Sequence, residues 1–227
     1  MMVKIIITER NLLLITLGVA LISIGLGIYN TYSINRIIEA MNPFSTLPKT
    51  DLPSISQYNP IYGNTDNIII FEYLDYLCPY CAMFDVETFP ELEKNYINNG
   101  KVTYIVKNWI IHREEAEKLA NYATCIYLNY GLKDFLEFKH SLYEALYDAA
   151  FVSKNYTKFR IAVDDILARY NVSNCLNDSN LMKDVKNSYM TDYNEALKYK
   201  LTGTPGFVIL IKRDLLSENK LKNIINV

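Results

Sequence analysis

The pattern of apolar and polar positions divides the chain into three stretches. Between Asn11 and Asn35 lie 25 residues without a charge, and their centre, Leu12 to Tyr29, is almost continuously apolar (LLLITLGVALISIGLGIY). At about 1.5 Å rise per residue this centre covers roughly 27 Å, close to the hydrocarbon thickness of a bilayer. A core helix seldom opens a chain with an apolar face all round. A cleaved signal peptide needs small residues at its cut site, and Tyr29-Asn30-Thr31-Tyr32-Ser33 offers no A-x-A-like sequence. The pattern therefore predicts an uncleaved transmembrane signal anchor at 11–33. Lys4 and Arg10 precede it and Arg36 alone soon follows. The positive-inside rule then places the tail 1–10 in the cytoplasm and the rest outside the cell membrane, as a single-pass extracytoplasmic protein.

The second stretch is a linker. Pro43, Pro48, Pro53 and Pro60, four of seven prolines, stand among Ser, Thr, Asn and Asp. Proline fixes φ and removes a donor, so 34–62 reads as extended and irregular. The third stretch, 63–227, is long enough to bury one core. Asn67–Leu74 (NIIIFEYL) suits a strand buried on both faces. A helical pattern runs from Cys81 to Asn98 with Gly100 as its stop. Lys101–Ile111 reads as a second strand. Helical patterns then fill Arg113–Asn129, Lys133–Ala149, Thr157–Tyr170 and Asp178–Lys200, with Gly131 dividing the first two. Phe207–Ile211 is a third strand and Glu218–Ile225 a closing helix. Strands and helices in this order predict an α/β domain.

Composition narrows the function. The net charge is −2, which excludes broad electrostatic capture of nucleic acid, and no nucleic-acid partner is expected. Four cysteines are too few for a disulfide-dense scaffold. Two of them form Cys78-Pro79-Tyr80-Cys81, directly after the first buried strand and at the start of a helix. A thiol there meets unpaired N–H groups and the positive end of the helix dipole, so Cys78 is expected as a low-pKa, exposed thiolate nucleophile. Cys81, one turn in, is expected to be buried and to act as the resolving thiol. Pro79 suits the first helical position, where its missing N–H is not needed. The competing reading is a zinc half-site, but Cys125 and Cys175 stand fifty residues apart and the chain has two His, so no metal is expected.

Glu72 lies six residues before Cys78 inside the apolar strand. Burial would raise its pKa and let it exchange protons with Cys81; an edge-strand Glu facing water is the alternative. Asp85, one turn after Cys81, either tunes the local field or lies on a solvated helix face. Thr204-Pro205, flanked by Gly203 and Gly206, precedes a strand. A proline there is a candidate for a cis bond, with a plain turn as the alternative.

Together these residues resemble the thioredoxin superfamily, and within it the DsbA-like thiol oxidoreductases, especially the membrane-anchored ones of Gram-positive bacteria and archaea. The resemblance covers most of 67–212 and includes Glu72, CPYC, His112…Ala116…Ala120…Ala123…Cys125, Gly131…Phe135…His140…Leu142, Cys175-Leu176 and Thr204-Pro205. It implies a thioredoxin fold with a helical insertion at about 112–200 that flanks a peptide groove. It implies that Pro205 is cis and faces the Cys78–Cys81 pair, that Thr204 contacts substrate backbone, and that Pro79 and Tyr80 lie on the substrate side. It further implies that Cys125 and Cys175 pair; two buried free thiols are the alternative. A loop of about fifty residues closed in this way is worth roughly 4 kcal/mol in the chain-entropy model. His112 and His140 read as helix-cap or packing residues.

The activity implied is protein-disulfide oxidoreductase, most simply an oxidase, with the cysteine pair in place of a cofactor. Its partners would be reduced or unfolded exported proteins, a membrane partner that reoxidises or reduces the pair, and the membrane itself through the N-terminal helix. The central Pro-Tyr is more typical of glutaredoxins than of DsbA, which leaves the redox direction open. With 22 residues after Pro205, the family's fifth strand is missing or reduced to Asp214–Ser217. A reductase or isomerase with the same residues, and a tethered binding or chaperone domain with structural cysteines, remain as alternatives.

Overall fold

The computed structural model describes residues 52–66 and 68–211. The anchor at 11–33, the tail 1–10, most of the linker, Asp214–Ser217 and the closing helix Glu218–Ile225 lie outside these residues. Among the described residues no helix is long and apolar enough to cross a membrane.

From Pro53 onward the described chain forms one unit built on a mixed sheet. Its strands are β1 (Ile61–Tyr62), β2 (Ile68–Leu74), β3 (Thr103–Asn108) and β4 (Gly206–Ile211), in the order β1-β3-β2-β4. β2 runs parallel to β3, with Glu72 opposite Val106, and antiparallel to β4, with Glu72 opposite Phe207. Helix α1 (Pro79–Glu87) follows β2, then α2 (Phe89–Leu92) and a π-turn at Glu93–Ile97. Five α-helices are inserted between β3 and β4, with a π-turn at Asp148–Val152 after the second: α3 (Arg113–Tyr130), α4 (Leu132–Tyr147), α5 (Tyr156–Leu167), α6 (Ser173–Asn177) and α7 (Ser179–Lys198).

Successive strand side chains point to opposite faces, so the sheet separates two cores. Leu74, Tyr104 and Val106 join Ala82, Phe135, Phe138 and Leu142 in the core on the α1 and α4 side. Phe71, Tyr73, Ile105, Trp109 and Val208 pack with Ala196 of α7 on the other. Cys125 of α3 and Cys175 of α6 are joined by a disulfide with Cα atoms 5.8 Å apart. It staples the helical insertion.

Several expectations are corrected. The linker was expected to reach residue 62, but the fold begins earlier. Ile61 and Tyr62 pair antiparallel with Ile105 and Tyr104, and Tyr58 and Asn59 are buried. Asn59 closes a turn by accepting the Ser56 N–H at 2.8 Å and donates to Asp192 at 3.1 Å. A two-residue strand carries no periodicity to read, and the prolines around it suggested a linker. Gly63 follows this strand with φ +106°, and a Cβ there would lie 2.6 Å from the Val102 carbonyl oxygen. Only glycine fits such an approach.

The helix expected from Cys81 to Asn98 starts at Pro79 and breaks at Thr88, because Pro90 has no N–H to continue it. The second strand is shorter than Lys101–Ile111. The Ile111 and His112 N–H groups leave the sheet to donate to Asp75 Oδ2 at 2.6 and 2.8 Å. The last long helix starts at Ser179, where the Asp178 side chain accepts the Asn180 and Leu181 N–H groups, and the short α6 stands before it as a separate element.

Candidate active site

Cys78 is the N-cap of α1, with extended backbone (φ −81°, ψ 118°), so its sulfur faces the first turn of the helix. Pro79 occupies the first helical turn, as its residue type favours. The structure holds Cys78 and Cys81 as free thiols. The Cys78 thiol donates to the Thr204 carbonyl oxygen at 3.1 Å, and the Thr204–Pro205 bond is cis. The loop before β4 is thereby placed directly against the reactive pair.

The Cys78 thiol is lowered to about 6. The hydrogen bond from Cys81 is the main cause; burial opposes it, and the Thr204 hydroxyl and the Cys81 and Tyr80 backbone N–H groups add to it. Thr204 Oγ1 has no hydrogen-bond partner among the described atoms, which leaves its hydroxyl free to turn toward the thiolate. One expectation needs correction. Cys78 is not broadly exposed: it shows 4 % of its surface, while Tyr80 beside it shows 63 %. The cis-proline loop covers the sulfur. Pro79 and Pro205 are half-buried and Tyr80 points outward, its ring 6.3 Å from that of Phe151.

Cys81 is fully buried, and burial pushes its thiol well above the ordinary range, helped by the hydrogen bond to Cys78 and the charge of Glu72. The two sulfurs are thus strongly unequal, one poised as a thiolate and the other held as a thiol. Glu72 is also fully buried, on the strand face toward the pair rather than in water. Burial pushes its carboxyl up to about 7, against the opposing influence of Lys139 and of the Tyr104 hydroxyl, which donates to Oε2. Its other oxygen, Oε1, has no hydrogen-bond partner among the described atoms.

Asp85 does not lie on a solvated face. It is buried, ion-paired through Oδ1 with Lys139, and 2.9 Å from His140 Nδ1 through Oδ2. Although burial opposes ionisation, Lys139 and His140 keep its carboxyl below the usual carboxylate range. Lys139 was missed. Its ammonium lies 4.4 Å from the ring centre of Phe89 and 5.5 Å from that of Tyr143. Its place on the stripe Phe135, Phe138, Leu142 was the available signal, since a lysine inside an apolar helix face needs a buried partner. His112 stands at the N-cap of α3 but makes no side-chain cap; its Nδ1 lies 3.1 Å from Asp75. His140 packs on Asp85. Among the described residues no three His, Cys, Asp or Glu side chains converge as a metal site, and Cys125 and Cys175 are held in their disulfide.

A sheet carrying a two-cysteine helix cap opposite a cis-proline loop, with a helical insertion, defines a DsbA-like thioredoxin fold. The thioredoxin family model matches residues 56–226, and the chain belongs to that family. It is similar to disulfide bond formation protein D of Bacillus subtilis, 30 % identical over 93 residues that cover 40 % of this chain and 41 % of that protein. A provisionally named protein-disulfide oxidoreductase of Rickettsia typhi is 25 % identical over 159 residues, 68 % of this chain and 56 % of that one. For the similarly named protein of Rickettsia prowazekii, the matched segment spans 24 % of its length. Among solved structures, α-DsbA1 of Wolbachia pipientis shares the fold with a TM-score of 0.53 at 24 % identity, covering 77 % of this chain and 90 % of that one.

Proposed function

We propose that this chain is a thiol:disulfide oxidoreductase that oxidises dithiols in exported proteins. The inequality of the two sulfurs carries the reading. A thiolate favoured at about 6 stabilises the reduced form of the pair, which makes its disulfide a stronger oxidant. In the oxidised protein, a substrate thiolate attacks Cys78 Sγ, the less enclosed sulfur; the Cys78–Cys81 bond breaks and Cys81 leaves with the electron pair. Glu72, protonated near neutrality, gives its proton to Cys81. A second substrate thiolate then attacks the substrate sulfur of the mixed disulfide and releases Cys78 as thiolate. The Thr204-Pro205 loop offers the substrate backbone a place beside the pair.

Two further observations support an extracytoplasmic site of action. The Cys125–Cys175 disulfide suits an oxidising compartment. The uncharged span at 11–33 suits a membrane anchor that holds the domain on the extracytoplasmic side, near a membrane partner able to reoxidise the pair. Equilibration with glutathione redox buffers tests the direction. A reduction potential between about −120 and −200 mV is expected for an oxidase; one near that of thioredoxin, about −270 mV, overturns it.

A further inference from the structure

The buried half of the site reaches the surface through one line of charges. Cys81 and Glu72 lie fully enclosed against Tyr104 of β3, Tyr76 of the loop after β2, and Tyr143 and Lys139 of α4. Lys139 is the cation among them, and it is not free to move. Asp85 of α1 grips it through one carboxylate oxygen and turns the other toward His140, which is about half exposed. On its outer side His140 meets Glu144, 3.6 Å away on the next turn of α4. The line from solvent inward is therefore His140, Asp85, Lys139, then Glu72 and Cys81.

We propose that Lys139, clamped by Asp85 and His140, is the positioning cation of the buried site, and that His140 takes up the compensating solvent proton as Glu72 gives its own to Cys81. This deepens the oxidoreductase reading and rests on it. When the Cys78–Cys81 bond breaks, Cys81 gains an electron pair and one proton. Glu72 supplies that proton and is left as a carboxylate in a region that cannot be solvated. A buried carboxylate without a countercharge is costly. Lys139 acts on it, but its ammonium is also ion-paired with Asp85, whose charge opposes it at Glu72. Protonation of His140 at the surface neutralises Asp85 in turn and leaves the Lys139 charge to Glu72. Net uptake is one proton from solvent, without a proton crossing the core. When the pair is reoxidised, the proton leaves Cys81 to Glu72, and His140 releases one to solvent.

The test follows the Glu72 side-chain carboxyl carbon by NMR in the full chain as pH is varied, with Glu72→Gln identifying the resonance. The Cys78 thiolate absorbance is titrated in parallel. Two substitutions should act in opposite directions. Lys139→Met should raise the proton affinity of Glu72 about tenfold, and Asp85→Asn should lower it severalfold. His140→Gln should raise it about twofold and slow proton uptake on reduction. A loosened core would shift both inner variants the same way, so the opposite signs separate charge from packing. If Lys139→Met unfolds, the neutral double variant Asp85→Asn/Lys139→Met replaces it and should still raise the affinity, because Lys139 outweighs Asp85 at Glu72. An unmoved Glu72 resonance in these variants overturns the role of Lys139; an unmoved one in His140→Gln overturns the surface half. Exchange with glutathione in the unsubstituted chain distinguishes the two levels. If that exchange is intact while Glu72 does not respond, this inference alone fails; if it is absent, the oxidoreductase reading fails.

Discussion

Two lysines are buried on opposite sides of the same sheet, and they are treated differently. Lys107 of β3 faces α7. Its ammonium donates to Asp192 Oδ1 and the Ser54 carbonyl at 2.6 Å each and lies 3.0 Å from Glu195 Oε2. Three donors meet three acceptors. Asp192 in turn takes the Asn108 N–H and the Asn59 amide on its second oxygen. Lys139, across the sheet, makes a hydrogen bond to Asp85, while Glu72 nearby keeps one oxygen unpaired. The first cluster is satisfied: burial pushes the Asp192 carboxyl up to about 6, but Lys107 and the Asn108 N–H oppose that shift, and both of its oxygens are taken. The second holds a carboxyl near neutrality, with a place for its proton to go. Satisfaction of hydrogen bonds, rather than burial, separates a structural ion pair from a chemical one.

The largest effect should come from breaking the satisfied cluster. Lys107→Met leaves Asp192 buried without its cation and should lower stability by about 4 kcal/mol in chemical denaturation. The Cys78 thiolate midpoint should stay near 6; movement there would show that the two clusters communicate. The next effect has the opposite sign. Glu72 ionises at about 7 when folded against an ordinary value of 4.5, so the folded state binds the extra proton between them. That contribution is fully present below the unfolded value and is lost as pH rises through about 7. Glu72→Gln cannot titrate and should therefore be more stable than the unsubstituted protein at pH 8 by roughly 3 kcal/mol, with the advantage disappearing in acid. A constant difference across pH would contradict the burial of an ionisable carboxyl. The smallest effect belongs to Tyr104→Phe. Loss of the hydroxyl should cost about 1 kcal/mol and move the Glu72 midpoint upward, since that hydrogen bond favours the carboxylate.

What could be read in advance followed from local order. CPYC after an apolar strand, Glu72 inside that strand and Thr204-Pro205 before the next one are all short-range patterns. Their chemistry depends on the turn or strand that carries them. Asp85 and Lys139 meet across 54 positions, and neither has a neighbour in sequence that reveals the other. Lys107 lies within the second strand candidate, and nothing beside it in sequence points to Asp192, 85 residues away. Residues 53–62 illustrate the same limit. Their prolines describe the backbone correctly, but the hydrogen bonds of Ser54 and Asn59 to α7 and β3 decide that this irregular chain is part of the fold. The low exposure of Cys78 was equally invisible, since the loop that covers it lies 126 residues further on.

The chain's single tryptophan also has its place in this division. Trp109 packs with Phe71, Tyr73, Ile105 and Val208 on the α7 side of the sheet, and the two redox sulfurs belong to the opposite core. Intrinsic fluorescence of this protein is therefore a gauge mounted on the rear wall. It will register whether the α7 layer is closed, and so follow unfolding faithfully. Opening and closing of the Cys78–Cys81 bond must be read with a different label, placed on the front.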